Sequence, residues 1–244
     1  MQIIEETINN NRLKGCSELQ KTCLDKLQKN PLPNNKSELW RIANKSKLAK
    51  FLNYKLSDSF HEPSIPSIKE SQNVIRLIIG QSKKINIKEK EWEIKELNDK
   101  EIINLIKKNI ADCETTENWS NILNHFLTNK KNICSLNISG KNIPHLEIIT
   151  NSKTDLFHSK TLILNIEKKT NVDISQINLG DEDSSLSNSS YLYLGEDSQV
   201  NHGIISYGKN KSYIINSLNV FQNKNSEYNL GSLQFKFDFA RLEI

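Results

Sequence analysis

The chain has 244 residues, with 33 basic against 29 acidic side chains and a net charge of +4; 36% of residues are hydrophobic and 25% charged. Lys and Arg are spread along the whole length, which argues against a nucleic-acid footprint. No apolar run reaches bilayer length, and Met1–Thr7 lacks a basic segment followed by an apolar one, so the composition reads as a cytoplasmic, non-membrane protein.

From Glu5 to Lys29, apolar residues at Ile8, Leu13, Cys16, Leu19, Cys23, Leu24 and Leu27 recur at helical spacing, and Pro31 and Pro33 end the helix. Ser37 is placed to cap a turn carrying Trp40, and Lys45–Tyr54 reads as a short helix with Leu48, Phe51 and Leu52 inward. Pro63–Pro66 is a linker by composition. Asn73–Gly80 reads as a buried strand, and Lys84–Leu97 contributes another. Two helices are expected over Asp99–Ile110 and Glu117–Leu127, then strands at Asn132–Gly140 and His145–Ile149.

Beyond Thr161 the texture changes. Thr161–Ile166, Asn171–Ser175, Tyr191–Leu194, Gln199–Ile205, Ser212–Phe221 and Ser232–Phe239 are short, β-branched or aromatic runs bounded by Gly, Asn, Asp or Ser, with no helical pattern between them. Leu162-Ile-Leu followed by Asn171-Val-Asp resembles Leu192-Tyr-Leu followed by Gln199-Val-Asn, an offset of roughly thirty residues and within the range of stacked repeats. A β-solenoid is expected, with Leu, Ile and Val inward and Asn, Ser and Asp at the corners; an antiparallel sandwich is the alternative. The chain divides into a helical region 1–62, a mixed connecting region 63–131 and a β core 132–244.

Catalytic signatures are absent from the sequence: there is no phosphate loop, no Gly-x-Ser-x-Gly elbow, no His-Glu-x-x-His and no EF-hand. Cys16, Cys23, Cys113 and Cys134 have no Cys-x-x-Cys spacing and read as packing residues, as do the scattered His61, His125, His145, His158 and His202. Catalytic, cofactor and metal residues are therefore not assigned. Asp181-Glu-Asp183 reads as a solvated acidic loop, although at a solenoid corner it also suits calcium or glycan chemistry. Tyr191, Tyr193, Tyr207 and Tyr213 would serve a carbohydrate-binding or carbohydrate-active protein if they lined one face.

Several segments resemble one family. Pro31-Leu-Pro-Asn-Asn-Lys-Ser-Glu-Leu-Trp-Arg41 is similar to the "G-L-P-x-x-(K/R)-x-E-x-W-(K/R)" segment of the SufB/SufD scaffold proteins of iron–sulfur cluster assembly, with Pro31 replacing the usual Gly. Val74–Gly80 is similar to the strand that follows in that family, and Leu194-Gly-Glu-Asp-Ser-Gln-Val200 to its "L-G-E-x-A-x-V". Leu230-Gly-Ser-Leu and Ala240–Ile244 resemble its "L-G-G … R-x-D/E". The resemblance, closer to the SufD side, implies a right-handed parallel β-helix behind helices and a non-catalytic role in the SUF complex. A SufB-like subunit and a SufC-like ABC ATPase would be the partners, with the iron–sulfur cluster and ATP handled by the whole complex and no cofactor bound by this portion. Family members continue beyond the position of Arg241 through the segment that contacts the ATPase, so the chain reads as an N-terminal portion.

Overall fold

A computed structural model describes residues 18–30, 32–33, 40–63, 73–81, 85–102, 104 and 119–244. Ile8, Leu13, Cys16, Ser37, Pro66, Cys113 and most of the helix expected over 99–110 lie outside the described residues.

The protein is mainly β: an N-terminal helix precedes a parallel β-solenoid of about four turns. Helices α1 (Glu18–Lys29), α2 (Lys45–Phe51) and α3 (Trp119–Leu127) accompany thirteen described strands, β1 (Lys55–Leu56), β2 (Val74–Ile78), β3 (Asn86–Lys88), β4 (Trp92–Glu96), β5 (Ile133–Gly140), β6 (His145–Asn151), β7 (Leu156–Ile166), β8 (Asn171–Gly180), β9 (Ser184–Leu194), β10 (Gln199–Gly208), β11 (Ser212–Gln222), β12 (Glu227–Phe235) and β13 (Phe239–Glu243). Sheet A runs β13-β11-β9-β7-β5-β4-β3, with β1 also on β7; sheet B runs β12-β10-β8-β6-β2. All ladders are parallel except β3–β4 and β4–β5.

Each full rung is 28 residues: Asn171 pairs with Gln199 and Gln199 with Glu227 in sheet B, while Phe157 pairs with Ser185 and Ser184 with Ser212 in sheet A. The Asn171/Gln199 alignment made from sequence is the register found. Leu162 does not stack on Leu192, however; Leu164 does, and Ile166 stacks on Leu194. A two-residue slip keeps every side chain on its own face, so the Leu-x-Leu pattern alone cannot fix the register.

The corners explain the repeat. Asp155, Asp183 and Lys211 at one edge, and Lys169, Asp197 and Asn225 at the other, all adopt positive φ between 48° and 62°. Each left-handed residue completes a tight turn. Ser184, Ser198, Ser212 and Ser226 follow four of them, each hydroxyl donating to the carbonyl three residues back.

Inside, Leu162, Leu164, Leu192 and Leu194 of sheet A meet Val172, Ile174, Val200 and Ile204 of sheet B. Asn and Ser are not confined to corners, as the sequence suggested. Thr150, Asn178 and Ser206 from sheet B face Asn188 and Asn216 from sheet A in a buried column. Asn188 Nδ2 donates to Asn178 Oδ1 and to Asn216 Oδ1, each at 3.0 Å, and Asn178 Nδ2 donates to Ser206 Oγ at 3.0 Å. The column satisfies amide N–H groups that would otherwise be costly in an apolar core, while Asn188 Oδ1 is left without a partner among the described residues.

Other boundaries move modestly. Lys45–Tyr54 shortens to α2, capped by the Asn44 side chain accepting from Lys47 N. β2 is half-buried rather than buried, and Lys84–Leu97 holds an antiparallel hairpin instead of one strand. Ser232–Phe239 is broken at Lys236, where φ is 61°, into β12 and β13. The Ser-rich run 184–190, unread as strand in the sequence, opens β9.

Candidate functional site

The outer faces of the two sheets differ. Sheet A is covered by the helices. Phe157, Ile163, Tyr191, Tyr213 and Ile215 form one apolar cluster with Cys23, Leu27, Trp40, Leu48, Phe51 and Trp119. Small outward side chains in β7 and β9 let α3 approach closely, and its amides are used there. Asn124 Nδ2 donates to Thr161 Oγ1 at 3.0 Å, Ser189 Oγ to Asn121 Oδ1 at 3.0 Å, and His125 Nε2 lies 2.6 Å from Tyr191 Oη. Every residue of α3 is buried as a result, not the apolar stripe alone.

Trp40 is 1% exposed, packs edge-on against Trp119 with ring centroids 5.5 Å apart, and lies under the Arg241 guanidinium, 4.0 Å from the ring centre. Arg241 Nε also donates to Glu243 Oε1 at 2.6 Å, and the Ser120 hydroxyl donates to the other Glu243 oxygen. Burial raises the Glu243 carboxyl above its ordinary value, only partly offset by Ser120 and Arg241.

Sheet B carries no helix on its outer face among the described residues. Three rows cross its rungs. Asp173, Asn201 and Asn229 form an amide ladder, with Asn201 Nδ2 donating to Asp173 Oδ1 at 2.8 Å and Asn229 Nδ2 to Asn201 Oδ1 at 3.0 Å. Beside it Ser175, Gly203 and Gly231 leave an open trough, with His145 Nε2 2.9 Å from Ser175 Oγ. Beyond that, Ile205 and Leu233 are 38% and 64% exposed, next to Phe235 at 43%. A smaller groove of about 310 Å³ opens at the neighbouring corner between Lys141, Lys169, Asn171 and Gln199.

The acidic corner is engaged internally. Asp181 Oδ1 accepts from Lys209 Nζ at 2.6 Å and Asp183 lies 3.5 Å from Lys211, so lysines of the next rung neutralise it. Partial burial works against ionisation of Asp181, but the Lys209 hydrogen bond and charge outweigh it and hold the carboxyl below its ordinary value. Nor do the tyrosines share a face. Tyr191, Tyr193 and Tyr213 belong to the helix-covered side of sheet A, and Tyr207 lies on sheet B. Cys23 packs in α1 at 0% exposure, and burial with the nearby Glu96 pushes the Cys134 thiol up to about 12, leaving it unreactive. Among the described residues, no group of three or more His, Cys, Asp or Glu is placed to hold a metal ion, and no helix is long and apolar enough to cross a membrane.

One cluster went unrecognised in the sequence. On the first full rung, β1 pairs with β7 at Leu156 and Phe157 and β5 pairs with it from Thr161, so His158, Ser159 and Lys160 have a strand partner only in β9. His158 and Lys160, at inward positions, are 1% and 2% exposed. Lys160 Nζ donates to Asn132 Oδ1 at 2.8 Å and to the Ile79 carbonyl at 3.4 Å, and the His61 ring stands edge-on to His158 at 5.5 Å. Counting back by twos from Leu162 puts Lys160 and His158 on the inner face. That was the available signal.

No family model, curated protein or solved structure matches the chain.

Proposed function

We propose that the chain is a SufD-like, non-catalytic scaffold subunit of the SUF iron–sulfur assembly system, working in the cytoplasm with a SufB-like solenoid and a SufC-like ATPase. The contact between Trp40 and Arg241 carries this reading. The two residues come from separate segments that resemble the family, and the guanidinium of one stacks 4.0 Å above the ring of the other. Residues that define the resemblance at distant places thus serve one structural purpose, closing the helical region onto the solenoid wall.

The architecture suits a scaffold. A two-sheet solenoid propagates rigid, evenly spaced surface rows, and one wall is left uncovered with exposed Ile205, Leu233 and Phe235. The carbohydrate reading loses its motivating features, because Asp181 and Asp183 are held by lysines and the tyrosines divide between two faces.

Co-expression with SufB-like and SufC-like partners tests the proposal. A tag on this chain should retain the SufB-like subunit through a salt wash, while folding is checked by far-ultraviolet circular dichroism. A folded chain that retains neither partner removes the assignment.

A further inference from the structure

We infer that Lys160, His158 and His61 frame an internal binding site for a small inorganic anion, of halide size, at the base of the solenoid. The inference is independent of the scaffold reading.

Lys160 is 2% exposed, and its two acceptors are the neutral oxygens of Asn132 and Ile79. No carboxylate lies within ion-pair distance of it among the described residues. Asp58 stands behind Asn132, whose Nδ2 donates to Asp58 Oδ1 at 3.4 Å. A buried ammonium without a counter-charge is costly, and a bound anion offsets that cost.

An ammonium has three N–H donors and Lys160 uses two. Both ring nitrogens of the buried His158, and Nε2 of His61, have no partner. Either tautomer of His158 presents an N–H, and so does the Nε2-protonated tautomer of His61, so with the Lys160 ammonium three residues can turn a donor into one cluster. Buried polar groups are almost always satisfied, and several orphans together mark an occupant that the described residues do not supply.

The chemistry selects an anion. A divalent cation would face the ammonium directly, and no third His, Cys, Asp or Glu completes a ligand set among the described residues. Near-total burial selects a compact ion. Gly80, at φ +102°, belongs to the same cluster, since a Cβ there would lie 2.9 Å from Lys160 Nζ. Burial lowers the Lys160 pKa to about 8, and burial with the neighbouring Lys160 charge lowers that of His158 to about 3.

The test uses the full chain at neutral pH and constant ionic strength, replacing sodium gluconate stepwise by sodium chloride or bromide while following thermal unfolding. The expected result is a saturable rise in Tm of a few degrees with either halide. Lys160→Met should unfold at the same temperature in halide and gluconate, as should His158→Phe. Replacing a buried charge by an apolar isostere is expected to preserve folding. Bromide-soaked crystals of the unaltered protein provide a second readout, an anomalous peak within hydrogen-bonding distance of Lys160 Nζ. Identical curves in gluconate and halide with no such peak would mean that internal water fills the cluster, overturning the proposal. Stoichiometric zinc binding lost in His158→Phe would overturn it in favour of a metal site.

Discussion

The guanidinium of Arg241, on the last strand of sheet A, lies 4.0 Å from the ring centre of Trp40, which precedes α2 in the N-terminal region. Trp40 in turn meets Trp119 of α3, so one indole joins three parts of the chain. Trp40→Ala should cost about 3–5 kcal/mol, the range for truncating a buried aromatic residue. In a double-mutant cycle with Arg241→Met, urea denaturation should return a coupling of about 1–2 kcal/mol, as for a desolvated cation–π pair. Additive losses would show that the two residues stabilise the protein separately.

The inner amide column is exposed to one-sided deletion. Asn188 bonds to Asn178 and Asn216 at 3.0 Å each, and Asn188→Leu leaves both without that partner in an apolar interior. A loss of about 1–3 kcal/mol in chemical denaturation is expected. An unchanged midpoint would mean that internal water takes over the bonds.

Acid should unfold the protein early. Burial lowers His125 and His202 to about 4 and His158 to about 3, from an ordinary 6.5. A base depressed in the folded state takes up its proton more readily when unfolded. Its contribution is present above pH 6.5 and is lost as pH falls towards 4 and 3, on the order of 3 kcal/mol for His125 and for His202 and on the order of 5 kcal/mol for His158. Unfolding midpoints measured from pH 7 to pH 4 should decline continuously, and His158→Phe should shallow the slope. A flat profile between pH 7 and pH 5 would contradict the assignment of buried neutral rings.

Two glycines of the same sheet should respond in opposite directions. A Cβ on Gly208 would clash with Ser212 Oγ first and sit 2.7 Å from the Phe237 ring, which packs over that corner, whereas one on Gly231 meets nothing within 4 Å. Gly208→Ala should destabilise by about 1–3 kcal/mol through overpacking. Gly231→Ala should be neutral or stabilise by up to about 1 kcal/mol. Equal effects in thermal unfolding would refute the packing assigned to Ser212 and Phe237 at that corner.

Much of this fold is readable in the sequence because a solenoid writes its repeat into the chain. Val172 and Val200, each between polar residues, are stacked partners. The Ser184–Ser190 run was not readable as strand, since its burial depends on α3 covering one face and the amide column filling the other. The Lys160 cluster was legible only by counting the alternation of β7, and a lysine in a strand suggests an exposed face until that count is made. Its companion His61 reaches it from a distant loop, which spacing along the chain cannot reveal. Asp181 and Asp183 read as a free acidic corner because the neutralising Lys209 and Lys211 are one rung away.

Native mass spectrometry of the chain mixed at micromolar concentration with a SufB-like subunit and a SufC-like ATPase tests the scaffold role most directly. The expected spectrum contains an assembly whose mass includes this chain and the SufB-like subunit, with the ATPase recruited to it. A spectrum in which the folded chain remains separate from both would contradict the role.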